Sequence, residues 1–132
     1  MKKYPNVAVK IIFKYKNKVL MLRQRNGKFD FPGGRIEWGE SPLEALNREL
    51  KEELNYSLRK EPQLFSVWSY ISKNKRRHTI LIDYIYQLDK KSKFFSPEKA
   101  EPLWLNKKEL MRIIKDKKFV KKIFDFRLKR KK

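Results

Sequence analysis

Val7, Val9, Ile11 and Phe13 alternate with Ala8, Lys10, Ile12 and Lys14, a period of two that gives a strand one continuous apolar face. Lys16-Asn17-Lys18 reads as a tight turn, since Asn tolerates left-handed backbone. The apolar run resumes over Val19 to Arg23, so the chain opens as a hairpin. From Asn26 to Gly39 come all four glycines (Gly27, Gly33, Gly34, Gly39) and Pro32, the signature of a loop with demanding backbone geometry. The spacing then turns helical. Leu43, Leu46, Leu50 and Leu54 share one face at 3.6 residues per turn, with Ser41 at the N-cap, Pro42 at the first helical position and Glu44 placed for a reciprocal capping box. Gln63 to Ile71 and His78 to Leu88 are rich in aromatic and β-branched residues and predict two strands around the basic loop that opens Ser72-Lys73-Asn74-Lys75. Leu103 to Leu105 predicts a short strand. Asn106 and Glu109 repeat the capping signal, and Leu110, Ile113, Ile114, Phe119, Val120, Ile123 and Phe124 predict one further helix running into a basic C-terminal segment. Strands precede, separate and follow the helices without regular alternation, which predicts an α+β fold, a mixed sheet flanked by helices.

The length of 132 residues fits a single domain over 1–132. A hydrophobic fraction of 40%, with nine Phe, six Tyr and three Trp, is enough to fill one core. The absence of cysteine removes disulfide scaffolds, thiolate metal sites, Fe–S clusters and cysteine nucleophiles, so any metal must be held by oxygen or imidazole. His78 is the lone histidine and makes a poor transition-metal site. No apolar run approaches the roughly 20 residues of a membrane span. Met1-Lys2-Lys3 leads into Tyr4-Pro5-Asn6 in place of an apolar signal core, and a soluble cytoplasmic protein is expected. The formal charge of +20 suits a polyanionic partner such as nucleic acid or nucleotide polyphosphate, and equally a lysine-rich solvated surface.

On the Ser41 helix, Glu49, Glu52 and Glu53 stand at i, i+3 and i+4 and share a face about 110° around from the leucines. Like charges at i and i+4 repel, so something must compensate Glu49 and Glu53. Two readings remain open: Arg48 and Lys51 neutralise a solvated acidic face, or a hard divalent cation collects there through oxygen ligands.

The segment Phe31-Pro32-Gly33-Gly34-Arg35-Ile36-Glu37-Trp38-Gly39-Glu40 places a glycine turn directly before this acidic helix. Gly34, then Glu40, then Arg48-Glu49-Leu50-Lys51-Glu52-Glu53-Leu54 resembles the Nudix box, G-x5-E-x7-R-E-U-x-E-E-x-G-U, where U is bulky and aliphatic. Asn55 stands where the box has glycine and Tyr56 where it has an aliphatic residue. Asn is the next-best residue for a left-handed helix C-cap, and Tyr56 still offers an apolar body. The chain therefore resembles a Nudix hydrolase, which implies an α/β/α sandwich and hydrolysis of a nucleoside diphosphate linked to another group, with Mg²⁺ or Mn²⁺ as cofactor.

By the same resemblance Glu49, Glu52 and Glu53 bind metal, with the Gly33 carbonyl as a further ligand. Glu98 is the first choice for a distal acidic ligand before the Trp104 strand, and Glu101 is the second. Arg48 orients a neighbouring carboxylate, or else forms a surface pair with Glu44 or Glu52. Glu40 supports the loop or the metals, or else simply favours the helix N-terminus. Glu52, ahead of Glu49, is the expected base. Arg23, Arg25 and Gly34 are expected at the substrate, an Arg fork suiting phosphate; edge-strand charge is the alternative for the two arginines. Trp38 and Trp68 are placed in the core or at its rim, ahead of stacking on a base. The implied activity is of MutT type, on a nucleotide or other diphosphate-containing small molecule, with an RNA 5′-triphosphate end or a dinucleoside polyphosphate as the alternative substrate. The loop Lys73 to Arg77 and the tail Lys115 to Lys132 either guide an RNA 5′ end or keep the protein soluble. A basic RNA-binding module without chemistry is the reading from another class, opposed by the intact Arg48-Glu49 and Glu52-Glu53 pairs.

Overall fold

The computed structural model describes residues 3–89, 94 and 100–128. The period-two opening becomes β1 (Asn6–Tyr15) and turns into β2 (Lys18–Arg23), with Lys16 (φ 52) rather than the expected Asn17 in left-handed backbone. β3 (Phe29–Asp30), β4 (Gly33–Arg35), α1 (Pro42–Leu54), β5 (Gln63–Ile71), β6 (His78–Gln87), β7 (Glu101–Asn106), α2 (Lys107–Ile113) and α3 (Lys117–Asp125) follow. One seven-stranded sheet runs β3-β2-β1-β6-β5, with β4 pairing β1 and β7 pairing β2. The β1–β6 pair is parallel and the other pairs are antiparallel.

Alternation along β1 divides the core into two layers. Val9, Ile11 and Phe13 pack with Ala45, Leu46, Leu50 and Leu54 of α1, whereas Ile12 packs with Leu110 of α2 and Val120 and Ile123 of α3. The mixed sheet is thus sandwiched between helices, as the pattern predicts. No helix of the described residues is long and apolar enough to cross a membrane.

Three local expectations change. The glycine-rich stretch is not purely loop, because Phe29–Asp30 pairs with Leu22–Arg23 and Gly33–Arg35 pairs with Ala8–Lys10. The single C-terminal helix is two: Ile114 leaves helical geometry (φ −95, ψ 121), and the Asp116 side chain accepts from the Phe119 N–H to start α3. Lys14, which the alternation places beside Ile12, is buried and donates to the Ile123 carbonyl at 2.9 Å. A cation there satisfies carbonyls that the end of α3 leaves unpaired.

Candidate active site

The acidic helix is positioned by its two caps. Ser41 accepts from the Glu44 N–H at 3.2 Å while Glu44 accepts from the Ser41 N–H at 2.9 Å, the reciprocal box read from the sequence. At the other end Asn55 adopts φ 50, ψ 42, and its N–H donates to Leu50 and Lys51, so Asn performs the left-handed stop that the box assigns to glycine. Tyr56 then packs edge-on against Phe13, with ring centroids 5.4 Å apart.

β4 brings the glycine turn beneath this helix. Ile11 N–H bonds to Pro32 and Ile36 N–H bonds to Val7, so hydrogen-bonded and open pairs alternate in a register that leaves Lys10 and Gly33 as an open pair. The Gly33 N–H therefore has no partner on β1, and donates to Glu53 Oε1 at 2.8 Å. Gly33 has φ +137, and a Cβ there would lie 2.0 Å from the Val9 carbonyl oxygen, so the position requires glycine. Gly34 shares the α1 face with its partner Val9. A Cβ at Gly34 would come within 2.4 Å of Glu49 Cδ, which means the Glu49 carboxylate occupies the space a side chain would fill.

Arg48 ties loop and helix together. Its Nε donates to Glu40 Oε2 at 2.7 Å and Nη2 to Glu40 Oε1 at 3.0 Å, a bidentate fork. Nη2 also reaches the Arg35 carbonyl at 2.9 Å, and Nη1 reaches Glu49 Oε1 at 2.9 Å. Glu52 lies farther, 3.5 Å from Nη1. The Arg48 fork lowers the Glu40 carboxyl from its ordinary range, helped by the Glu37 N–H at 2.8 Å, and the same contacts raise Arg48 still further into its cationic form. Of the two surface pairs considered for Arg48, the one with Glu52 is present at 3.5 Å and the one with Glu44 is not, since Glu44 serves the N-cap; the principal partner is Glu40, eight residues back.

The structure thus brings Gly33, Gly34, Glu40, Arg48, Glu49, Glu52 and Glu53 together. Glu98 lies outside the described residues, as does the tail from Lys129. Glu101 opens β7 opposite Arg23 of β2 and has no contact with the Arg48 cluster. Arg23 is not on an edge strand, since β2 pairs with β1 on one side and with β3 and β7 besides. Arg25 is exposed in the turn between β2 and β3. Trp38, expected in the core or at its rim, is fully exposed on the loop before α1. Among the described residues, no three acidic or histidine side chains already converge as a metal cluster, because Arg48 and the Gly33 N–H draw Glu49 and Glu53 to different partners.

A buried polar group that the sequence does not single out lies on the other face. Ser66, Asp83, Lys10 and Gly33 form one row across β5, β6, β1 and β4. Asp83 Oδ2 accepts from Trp68 Nε1 at 2.7 Å and from Ser66 Oγ at 2.9 Å, while Lys10 pairs with Asp30 at 2.9 Å. Burial raises the Asp83 carboxyl, against the pull of its two donors.

Known proteins share the sequence and the fold. An archaeal ADP-ribose pyrophosphatase from Methanocaldococcus jannaschii is 38% identical over 86 residues, covering 62% of this chain and 50% of that protein. The 8-oxo-dGTP diphosphatase of Escherichia coli is 40% identical over 67 residues, covering 47% of this chain and 49% of that protein. The matched stretch spans about half the length of either curated relative. The crystal structure of a MutT protein from Bacillus halodurans superposes with a TM-score of 0.73 at 26% identity, covering 92% of this chain and 83% of that one. The NUDIX domain model matches residues 3–126, a span that takes in the glycine turn, the Arg48 clamp and both helical layers, and on that match the chain belongs to the Nudix family.

Proposed function

We propose that the chain hydrolyses a pyrophosphate linkage in a nucleoside triphosphate or another nucleoside diphosphate derivative, by water attack at phosphorus with Mg²⁺ or Mn²⁺ bound. With a triphosphate the products would be a monophosphate and pyrophosphate. The observation that carries this reading is the placement of the Glu49 and Glu53 carboxylates on Gly34 and Gly33, with Arg48 locking the turn to the helix.

The residues fit the cofactor. Glu49, Glu52, Glu53 and the Gly33 carbonyl would hold it, an all-oxygen set that matches hard divalent cations. Gly34, lacking a Cβ, makes room for the Glu49 carboxylate at the turn. When bound, the metal would supply charge neutralisation for the pyrophosphate and activation of the nucleophile. The chain's own groups divide the remaining work. Arg48, held by Glu40 and the Arg35 carbonyl, fixes Glu49 in place. Glu52 is half-exposed and only loosely approached by Arg48, and its carboxylate would take a proton from the attacking water. Arg23 and Arg25, exposed at the end of β2, would meet substrate phosphates.

The test is turnover of a panel of nucleoside triphosphates, nucleotide sugars and dinucleoside polyphosphates with Mg²⁺ or Mn²⁺, beside Glu52→Gln. The wild type should release products by mass spectrometry, and Glu52→Gln should fold normally and lose about 10²- to 10⁴-fold in rate. Near-wild-type rates in Glu52→Gln would remove Glu52 from the mechanism, and silence of the wild type across the panel would refute the hydrolytic reading.

A further inference from the structure

The β5–β6 hairpin carries an arrangement that the diphosphate site does not use. From Pro62 to Ile82 the chain contains no acidic residue. At the turn, Lys73, Lys75, Arg76 and Arg77 are exposed, and among the described residues none has an ion-pair partner. The turn holds itself: Ser72 N–H donates to the Arg77 carbonyl at 2.9 Å, Lys75 N–H to the Ser72 carbonyl at 2.9 Å and Arg76 N–H to Asn74 Oδ1 at 3.0 Å. Four uncompensated cations therefore stand on a fixed turn of a protein that is already strongly positive, which an approaching polyanion would relieve.

Beside the turn, Trp68 and Tyr70 are two residues apart on β5 and so share a face. They remain 46% and 51% exposed. α2 and α3 cover the part of this face around Ile12, Ile85 and Phe65 and stop short of them. The indole is not mobile filler, because its Nε1–H is held by Asp83, a carboxylate only 3% exposed. Burying a carboxylate is costly unless donors compensate it, and its donors here are Ser66 and Trp68. The result is an aromatic surface fixed in one orientation while nearly half of it stays in water.

We propose that this hairpin binds single-stranded nucleic acid, unpaired bases stacking on Trp68 and Tyr70 and backbone phosphates lying against Lys73, Lys75, Arg76 and Arg77. Aromatic faces next to a cationic track are the chemistry that holds unpaired strands with little sequence preference, whereas a duplex keeps its base faces covered. The row from Ser66 through Asp83 and Lys10 to Gly33 spans three strand spacings, about 14 Å, so a strand held here has its end within reach of β4. The binding itself needs neither metal nor hydrolysis and stands apart from the proposed activity.

The experiment is fluorescence anisotropy of a 3′-labelled short oligouridylate with a 5′-hydroxyl, and of the same strand in a duplex, over a salt series in metal-free buffer. The wild type should bind the single strand more tightly than the duplex. Tyr70→Ala, whose side chain is exposed, should weaken single-strand binding about 5- to 150-fold while keeping the circular dichroism of the wild type. Replacing Lys73, Lys75, Arg76 and Arg77 by Gln should flatten the log–log salt slope by up to about 3, at roughly 0.7 per phosphate. Equal affinity for single strand and duplex, or unchanged binding by Tyr70→Ala, would overturn the proposal. So would a wild-type dimer in sedimentation that Tyr70→Ala dissociates, since the exposed Trp68 and Tyr70 would then lie in an interface between two copies. Because the probe carries no pyrophosphate, failure of binding and failure of the hydrolytic reading are seen separately.

Discussion

Replacing Gly34 by Ala separates the position of the Glu49 carboxylate from the integrity of the fold. The new Cβ would lie 2.4 Å from Glu49 Cδ and 2.5 Å from Oε1, where ordinary contact begins at 3.4 Å, so the carboxylate must retreat by about 1 Å. The three atoms nearest the new Cβ all belong to that carboxylate. Gly34 does not adopt a positive φ, and the obstructing atoms are the end of a flexible side chain, so stability should change by less than about 1 kcal/mol. The retreat also pulls Oε1 from the 2.9 Å contact with Arg48. Displacement of a reacting-site group by about 1 Å can cost on the order of 10²-fold in rate. Gly34→Ala should therefore melt like the wild type and lose about 100-fold in kcat on whichever substrate the panel identifies. Gly33→Ala is the contrasting control: its Cβ would strike the Val9 carbonyl oxygen at 2.0 Å with φ at +137, a backbone collision that should lower the Tm and disturb β4. A Gly34→Ala protein with wild-type kcat and wild-type Tm would refute the claim that the Glu49 position governs turnover. A melting collapse like that of Gly33→Ala would refute the claim that only a flexible carboxylate is displaced.

Two further outcomes follow from named contacts. Arg48→Lys keeps the charge but cannot span Glu40, Glu49 and the Arg35 carbonyl with one ammonium; it should fold and lose at least about 10-fold in kcat, and steady-state kinetics with an unchanged rate would show that the fork is dispensable. Asp83 gives a pH signature: burial raises its carboxyl above the ordinary 3.8, so the folded chain binds that proton more tightly, and this group's contribution to stability rises as pH falls through the folded value toward 3.8. Denaturant titrations from about pH 7 down to about pH 4 should show the wild type gaining on Asp83→Asn, and parallel curves would remove burial of that charge as a factor.

What was legible in the sequence was local. The Ser41–Glu44 box and the Asn55 stop depend on residues three or four positions apart, so their chemistry is complete within one helical turn. The acidic set was legible for the same reason, whereas its glycine lead-in, far upstream in the chain, was legible only through the box it resembles. β3 and β4 were hidden because Phe29–Asp30 and Gly33–Arg35 are too short to show a period, and are strands only by virtue of pairing with β2 and β1. The break between α2 and α3 was masked by the apolar spacing that Ile113, Ile114 and Phe119 carry through it, and shows only in the structure, where Asp116 caps α3. The Ser66–Trp68–Asp83 group was beyond reach, because it depends on a β5–β6 register with an irregularity between Leu64 and Ser66. A one-residue slip would turn Trp68 to the other face.

The repulsion expected between Glu49 and Glu53 shows how the glycine turn and the helix depend on each other. Among the described residues, Lys51, the basic neighbour on the same helix, makes no ion pair with Glu49. Glu49 leans to Arg48 and into the space over Gly34, whereas Glu53 takes the Gly33 N–H. Compensation thus comes from Arg48 of the helix for Glu49 and from the Gly33 N–H of the turn for Glu53, with both glycines leaving the space a side chain would fill. Arg48 brings one positive charge to Glu37, Glu40, Glu49 and Glu52, all within 4 Å of its guanidinium. One cation against four carboxylates leaves a net acidic patch on a chain whose overall charge is +20. A divalent cation bound beside Glu52 and Glu53 would complete that balance, and the surrounding positive field would favour the arrival of a polyphosphate. Under the proposed hydrolysis the local acidity and the global basicity would serve different ligands of one reaction, and neutralising either should be felt in KM for a different one of them.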